Sequence, residues 1–554
     1  MHKRFQPTSH RIRKKTSSSL REQYDIIVVG GGSAGCVLAN RLSEDSEQSV
    51  LLIEAGRSDK HLYSRIPAAS PLAIGSPDFN WLYLAEPDPS RNNKTDMWPA
   101  GKCIGGGSAI NGMMFIRAHP WDFEHWHKLG NEGWAFEDVL PYFKRLEDNE
   151  RGENEYRGID GPQGVSEVRC AISITDTWIK AVQQAGFARS SDLNGAEPEG
   201  VDYCQLSQKN GLRHSTGHAY LWPILKKRAN LELSLETPVQ EVITSGGRAT
   251  GVKVQQGEES VTITAAKGVI LSAGAIASPR ILMLSGIGPS SELQSHGIQP
   301  RLDLPGVGQN LQEHPAIDLD IRVTAPTLSS DRGLFRNMVH GLDFLFRRRG
   351  PLTTPIGHAQ ALVRTEPSLP APNIQLILTP FSFDRSAEEL RISSNRDMGF
   401  AVGLMRPRVR GTIQLRSSDP AHHPLIRHQL LGNDEDRREL LDGLRLARKI
   451  INQDVFKPFL VKELFPGENI SQDEELESLV RDRAFPMYHP VGTCMMGTGK
   501  MAVVDNTLKV KGMENLWVVD ASIMPTLTSG NTNATVIMIA EKASDLVKAE
   551  LKKA

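Results

Sequence analysis

Residues 24–54 constrain this chain more than any other stretch. They read as a strand (25–29), a glycine turn (30–35), a helix, and a second strand (50–53) that ends in Glu54. Ala34, Val37, Leu38 and Leu42 recur at i, i+3, i+4 and i+8, which makes one apolar helix face. Gly30, Gly32 and Gly35 fit the pattern G-x-G-x-x-G. The first glycine permits a tight turn, the second lets backbone approach a pyrophosphate, and the third lets helix and strand pack closely. Phosphates placed there would meet the amides of Ser33 and Ala34 at a helix N-terminus. Glu54, followed by Ala55, stands 19 residues after Gly35, where a carboxylate accepts ribose hydroxyls and repels a 2′-phosphate. The pattern predicts a dinucleotide site that disfavours NADP. Residues 31–35 also spell G-x-S-x-G, so a serine hydrolase built on Ser33 is a distant alternative. It explains neither Gly30 nor Glu54.

At 554 residues the chain exceeds one simple core, so two or more lobes are expected. A net charge of −1 gives no reason to expect a nucleic-acid partner. The five cysteines lack C-x-x-C spacing, which predicts no metal site and no disulfide framework. That usage suits a reducing, cytoplasmic compartment. No apolar run approaches the roughly 18 residues of a transmembrane helix. Residues 1–23 form a basic arm with seven Lys or Arg and one acid, expected to be disordered. Its Arg- and Ser-rich composition leaves a mitochondrial or peripheral-membrane location open.

Residues 61–100 read mostly as loop, with a short strand at 79–83. Five glycines then fall within residues 101–112, too costly for a helix, and mark a second place where backbone approaches a ligand. The helical, aromatic segment 121–146 reads as core. Alternating Val252/Val254 and Val261/Ile263 predict a hairpin, and residues 269–271 a further strand that ends in Ala273 and Gly274. The next helix is expected to start near Ser278, with Pro279 in its first turn, and to stop at Gly286. From residue 320 to 480 the βα rhythm fades. Residues 373–378 and 411–416 alternate as antiparallel strands with one open face, and a helix follows over 437–452. Residues 516–519 form a strand that ends in Asp520, and a last helix begins near Asn533. The fold class predicted is α/β. A Rossmann-like lobe is built from both chain ends, and the inserted lobe carries a largely antiparallel sheet. Residues 24–318 are mainly cofactor-binding, 319–484 mainly substrate-binding, and 485–554 return to the first lobe.

Five ordered motifs resemble the glucose–methanol–choline (GMC) flavoprotein oxidoreductases: residues 101–117, 274–288, 304–311, 488–494 and 529–534. The resemblance covers nearly the whole chain from Tyr24. It implies FAD and the oxidation of an alcohol, with dioxygen or a quinone- or dye-like acceptor taking the electrons. It carries cofactor contacts onto Gly101, Gly106, Gly107, Ser108, Asn111, Gly112, Met113, Val239, Ala273, Gly274, Asp520, Ala521, Asn531 and Thr532. Some members attach FAD through a histidine in the first motif. Residues 102–112 contain none, so non-covalent FAD is expected.

Oxidising an alcohol removes a proton from oxygen and a hydride from carbon. The proton needs a base, and histidine starts near pKa 6.5. His489 matches the family's catalytic histidine, and Asn533 matches its partner position. An amide there can hold the substrate oxygen but cannot be the base. His314 and His214 carry no such motif and read as structural. The helix start at Asn533 would place partial positive charge against a reduced flavin. Non-redox relatives, hydroxynitrile lyases and photodecarboxylases, are the nearer alternative.

Overall fold

The computed structural model describes residues 20–170, 172–330, 333–382 and 392–553. The basic arm lies outside these residues except for its last four, and Gln23 opens the first strand.

The first lobe is organised around a seven-stranded sheet. Its order is Leu231–Ser234, Val50–Ile53, Gln23–Val29, Glu259–Leu271, Arg248–Gln256 and Val239–Ser245. Leu516–Val518 pairs parallel with the end of Glu259–Leu271, so the chain's last strand lies one strand away from its first. Residues 26–29 and 50–53 are buried without a break, as parallel strands covered on both faces are. Helix α1 (Ser33–Leu42) follows the glycine turn. A Cβ on Gly35 would lie 1.8 Å from the carbonyl oxygen of Gly30, so this position admits no side chain. Helices α2 (Pro120–Lys128) and α3 (Phe136–Leu146) bury Phe123, Trp126 and Phe143, with Trp134 between them, in the same core.

Residues 269–271 are no separate strand. They end one continuous 13-residue strand that leaves its antiparallel partner and enters the parallel sheet. Helix α4 (Gly274–Leu284) also starts earlier than Ser278, so Pro279 lies inside it. The fold tolerates this because the carbonyl that Pro279 cannot bond, that of Ala275, accepts the Thr493 hydroxyl at 2.6 Å. The strand expected over 79–83 is only Tyr83–Leu84, since Leu82 adopts φ +53 and breaks the extended backbone.

A second core lies on an antiparallel sheet of seven strands, ordered Leu460–Phe465, Pro315–Val323, Asp397–Leu404, Ile374–Thr379, Ala359–Val363 and Gly200–Tyr203, with Phe485–Pro486 beside Pro315–Val323. Neither face is open. Helix α5 (Leu334–Arg347) lies outside this sheet, and helix α6 (Asp434–Ile451) covers one face. The other face turns Ile377 and Ala401 toward a cavity shared with the first lobe. Residues 411–416 do not join this sheet. Thr412–Gln414 pairs with Leu425–Arg427 in a ribbon whose Ile413 and Ile426 sit in the first core. Helix α7 (Asn533–Leu551) closes the first lobe. Its buried Glu541 accepts from Arg41, Arg145 and Tyr220, which ties the chain's two ends together. Among the described residues no helix is long and apolar enough to cross a membrane.

The substitution Thr493→Val keeps the shape but leaves the Ala275 carbonyl unpaired in the core. It should cost about 1–3 kcal/mol, read as a lower midpoint in thermal melting. An unchanged midpoint would contradict the role given to that hydroxyl.

Candidate active site

One elongated cavity runs between the lobes, from Val239 and Glu54 at one end to His489 at the other. All but two of the expected site residues line it. Gly35 instead packs α1 on the first strand. Ser108 turns inward, donating to the Gly105 carbonyl at 2.6 Å and accepting from the Thr216 amide, so it holds the glycine loop together.

The glycine segments make this cavity. Gly106 lies directly over Gly32: a Cβ there would meet the Gly32 Cα at 2.7 Å. Gly107 and Gly274 line the cavity, and a Cβ on either would meet no protein atom within 4 Å, so their bareness leaves space for a ligand. Gly32 is the N-cap residue of α1 and Thr532 that of α7; neither helix has a side-chain cap or an acid in its first turn. Orphan amides and the positive dipole ends of two helices therefore meet in one cavity. Ser33 Oγ donates to Asn533 Oδ1 at 2.8 Å and ties the two starts together. This cradle fits an anionic dinucleotide. Ser33 donates its hydroxyl proton to Asn533 and not to a histidine, so the serine-hydrolase alternative finds no support.

Two carboxylates brace the cradle. Glu54 accepts the Gly31 amide through Oε2 and the Gly56 amide through Oε1, both at 2.7 Å. Each oxygen keeps a second lone pair for a ribose hydroxyl. Asp520 Oδ2 accepts the Gly274 amide at 2.8 Å and the Ser278 hydroxyl at 2.6 Å. Burial pushes both carboxyls above their ordinary range.

At the other end the structure brings Asn531, and not Asn533, to His489. Asn531 Nδ2 lies 3.1 Å from His489 Nε2. Asn533 is the first residue of α7 and is turned to Ser33. The Asn531 amide is oriented by Gln375, whose Nε2 donates to Asn531 Oδ1 at 3.3 Å and to Gln360 Oε1 at 2.8 Å. The other nitrogen of His489 meets a residue that read as structural: His314 Nδ1 is 2.9 Å from His489 Nδ1. His314 Nε2 lies 3.0 Å from the Met405 carbonyl, which can only accept. His314 therefore carries its proton on Nε2 and presents a bare Nδ1. His489 must donate through Nδ1, which leaves its Nε2 bare and aimed into the cavity beside Asn531.

Glu313 fixes the backbone around this pair. Its Oε1 accepts the His314 amide at 2.9 Å, and both its oxygens lie 2.8 Å from the His489 amide. The preceding Tyr488 sits at φ +66, a left-handed conformation that a tyrosine holds only when its surroundings enforce it. Burial raises the Glu313 carboxyl to about 8 and lowers the His489 ring to about 4. It lowers His314 further, with His489 adding to the effect.

These depressed rings make stability depend on pH. In the unfolded chain they take up a proton near pH 6.5. Folded, His489 stays neutral down to about 4. Between these values the unfolded chain binds more protons, so acidification favours it. The raised Glu313 carboxyl works the other way over the same window, because the folded chain keeps a proton there that the unfolded chain has lost. The ring itself gives the clean reading: an NMR titration should find His489 still neutral at about pH 5. A ring that takes up its proton near pH 6.5 would contradict the neutral histidine pair.

The chain matches the GMC oxidoreductase family over residues 24–316 and again over 407–540. It is 40% identical over 544 residues to human mitochondrial choline dehydrogenase, covering 96% of this chain and 91% of that protein. It is 40% identical over 530 residues to the oxygen-dependent choline dehydrogenase of Sinorhizobium medicae, covering 94% and 95%. Among solved structures, pyridoxine 4-oxidase from Mesorbium loti superposes with a TM-score of 0.85 at 29% identity, covering 94% of this chain and 98% of that one. A fungal aryl-alcohol oxidase superposes with a TM-score of 0.83 at 26% identity, covering 96% and 100%. With both halves of the family pattern matched and its glycine cradle and histidine in place, the chain belongs to the GMC oxidoreductase family.

Proposed function

We propose that this FAD-dependent oxidoreductase oxidises an alcohol with His489 as the base, and that Asn531 holds the alcohol oxygen. The observation that carries the reading is the bare His489 Nε2, set 3.1 Å from the Asn531 amide nitrogen at the cavity wall. Bound FAD would accept the hydride that leaves the alcohol carbon. Ser33, Ala34, Gly107 and Gly274 would hold its anionic middle, and Glu54 its ribose.

The chain's own residues do the rest. An entering alcohol donates its proton toward His489 Nε2 while its oxygen accepts from Asn531 Nδ2. As that proton arrives, the His489 ring becomes cationic, and His314 Nδ1 accepts its other N–H. The low pKa of His489, about 4, keeps the ring neutral and ready throughout the physiological range. The start of α7 adds positive potential where negative charge accumulates.

The walls on the side of His489 include Met114, Ile356, Ile377, Phe485, Met487 and Tyr488. Among the described lining residues the carboxylates are Glu54 and Asp520, both held by backbone amides of the glycine turns. A quaternary ammonium alcohol such as choline calls for a carboxylate or an aromatic cage. These walls favour an uncharged, apolar alcohol instead. Cys36, Cys103, Cys204 and Cys494 are buried free thiols, which supports a reducing location, cytoplasmic or mitochondrial. The electrons would pass to dioxygen or a quinone-class acceptor.

In anaerobic mixing, His489→Ala should retain FAD but lose alcohol-driven bleaching of the flavin band by about 10²–10⁴-fold. Asn531→Ala should lose about 10–100-fold, and Asn533→Ala much less. Unchanged bleaching in the first variant, or equal losses in the two asparagine variants, would contradict the assignment. Benzyl alcohol and aliphatic primary alcohols should bleach the wild type at lower concentration than choline does. Choline acting as well as these would contradict the apolar class.

A further inference from the structure

Helix α5 has its polarity turned outward. A surface helix ordinarily hides its apolar stripe against the core. Here Phe335, Met338, Val339, Leu342, Leu345 and Phe346 are 73%, 54%, 43%, 48%, 58% and 78% exposed. Their spacing, i, i+3, i+4, i+7, i+10 and i+11, puts all six on one stripe. On the opposite side Phe344 is buried and anchors the helix, with the Arg348 guanidinium over its ring at 5.0 Å. A continuous exposed apolar stripe marks a surface that meets something other than water.

Charge says what it meets. Residues 334–349 carry four arginines (336, 347, 348 and 349) and one acid, Asp343. An apolar stripe flanked by arginines is the composition of a helix that lies in a lipid interface, its side chains in the acyl boundary and its cations among anionic headgroups. A second copy of the chain is a poorer occupant. A two-fold contact through this stripe would set two net-positive helices side by side, each with Asp343 as its one acid.

We propose that α5 is a membrane-docking helix that lies flat in the interface of an anionic bilayer. Its placement gives the docking a consequence. The turn Pro351–Thr353 packs on α5 and also on the turn Pro67–Ala69, whose neighbouring helical turns expose Leu62 and Leu72 at 68% and 56%. Three residues beyond Thr353 the chain reaches Ile356 in the cavity wall. Docking holds that wall beside the lipid, where apolar alcohols and quinone-class acceptors concentrate. The docking itself does not depend on the catalytic roles given to His489 and Asn531.

The test is co-sedimentation of the full-length holoenzyme with vesicles of phosphatidylcholine alone, or with about one-third phosphatidylglycerol, at low and high salt. Wild type should sediment with the anionic vesicles, and high salt should weaken this. Phe335→Ser with Phe346→Ser should lose at least about tenfold in partitioning. Arg347→Gln with Arg348→Gln and Arg349→Gln should lose about a hundredfold. Both variants should keep their flavin absorbance and elute as wild type does. Wild type left in the supernatant with both vesicles would overturn the proposal. Serine variants that sediment like wild type would overturn it too and shift the binding to the basic residues 1–23. So would a wild-type dimer that the serine variants dissociate, which would give the stripe to a second copy.

Discussion

Two backbone segments cross beneath the cavity with no side chain between them, and the site depends on that crossing. Gly106 stands over Gly32, and Gly35 stands against the carbonyl of Gly30. A side chain on Gly35 would push α1 off its strand, and one on Gly106 would lift the 101–113 loop away from the start of α1. Because there is none, the start of α1, the glycine loop and the start of α7 converge, although α1 and α7 lie at opposite ends of the chain. Their unpaired amides then face one volume, which makes that volume suited to an anionic group. The buried Glu541 reinforces the arrangement by joining Arg41 of α1 to Arg145 of α3.

A second constraint is chemical. A backbone carbonyl cannot donate, so the Met405 carbonyl decides which nitrogen of His314 bears hydrogen. That decides which nitrogen of His489 must donate to His314, and hence which is left to take a proton from a substrate. Gln375 makes the matching decision for Asn531 by fixing which end of its amide faces the ring. Catalytic readiness thus rests on two chains of hydrogen bonds, one ending in the Met405 carbonyl, which can only accept, and one running through Gln375 to Gln360. Glu313 keeps the geometry fixed by holding the amide beside the left-handed Tyr488.

The local parts of this design were legible in the sequence. Strand, turn, helix and terminal acid over residues 24–54 follow from periodicity and glycine spacing, which are short-range signals. What failed was set by distant contacts. Pro279 looked like a helix start because nothing in its own segment reveals that Thr493, more than 200 residues away, would satisfy the freed carbonyl. His314 looked structural because its partner lies 175 positions along the chain. Asn531 and Asn533 are both amides at one helix start, and a motif cannot say which of the two turns to the histidine and which to Ser33. The ribbon at 412–414 alternates as a sheet strand does, but alternation does not say which sheet a strand will join.

Neutron diffraction from a crystal of the deuterium-exchanged protein would test the central claim directly, because it locates the hydrogens on the two rings. The account predicts deuterium on His314 Nε2 and on His489 Nδ1, with His489 Nε2 bare beside the Asn531 amide. Deuterium on His489 Nε2, with Nδ1 bare, would contradict it and remove His489 as the base.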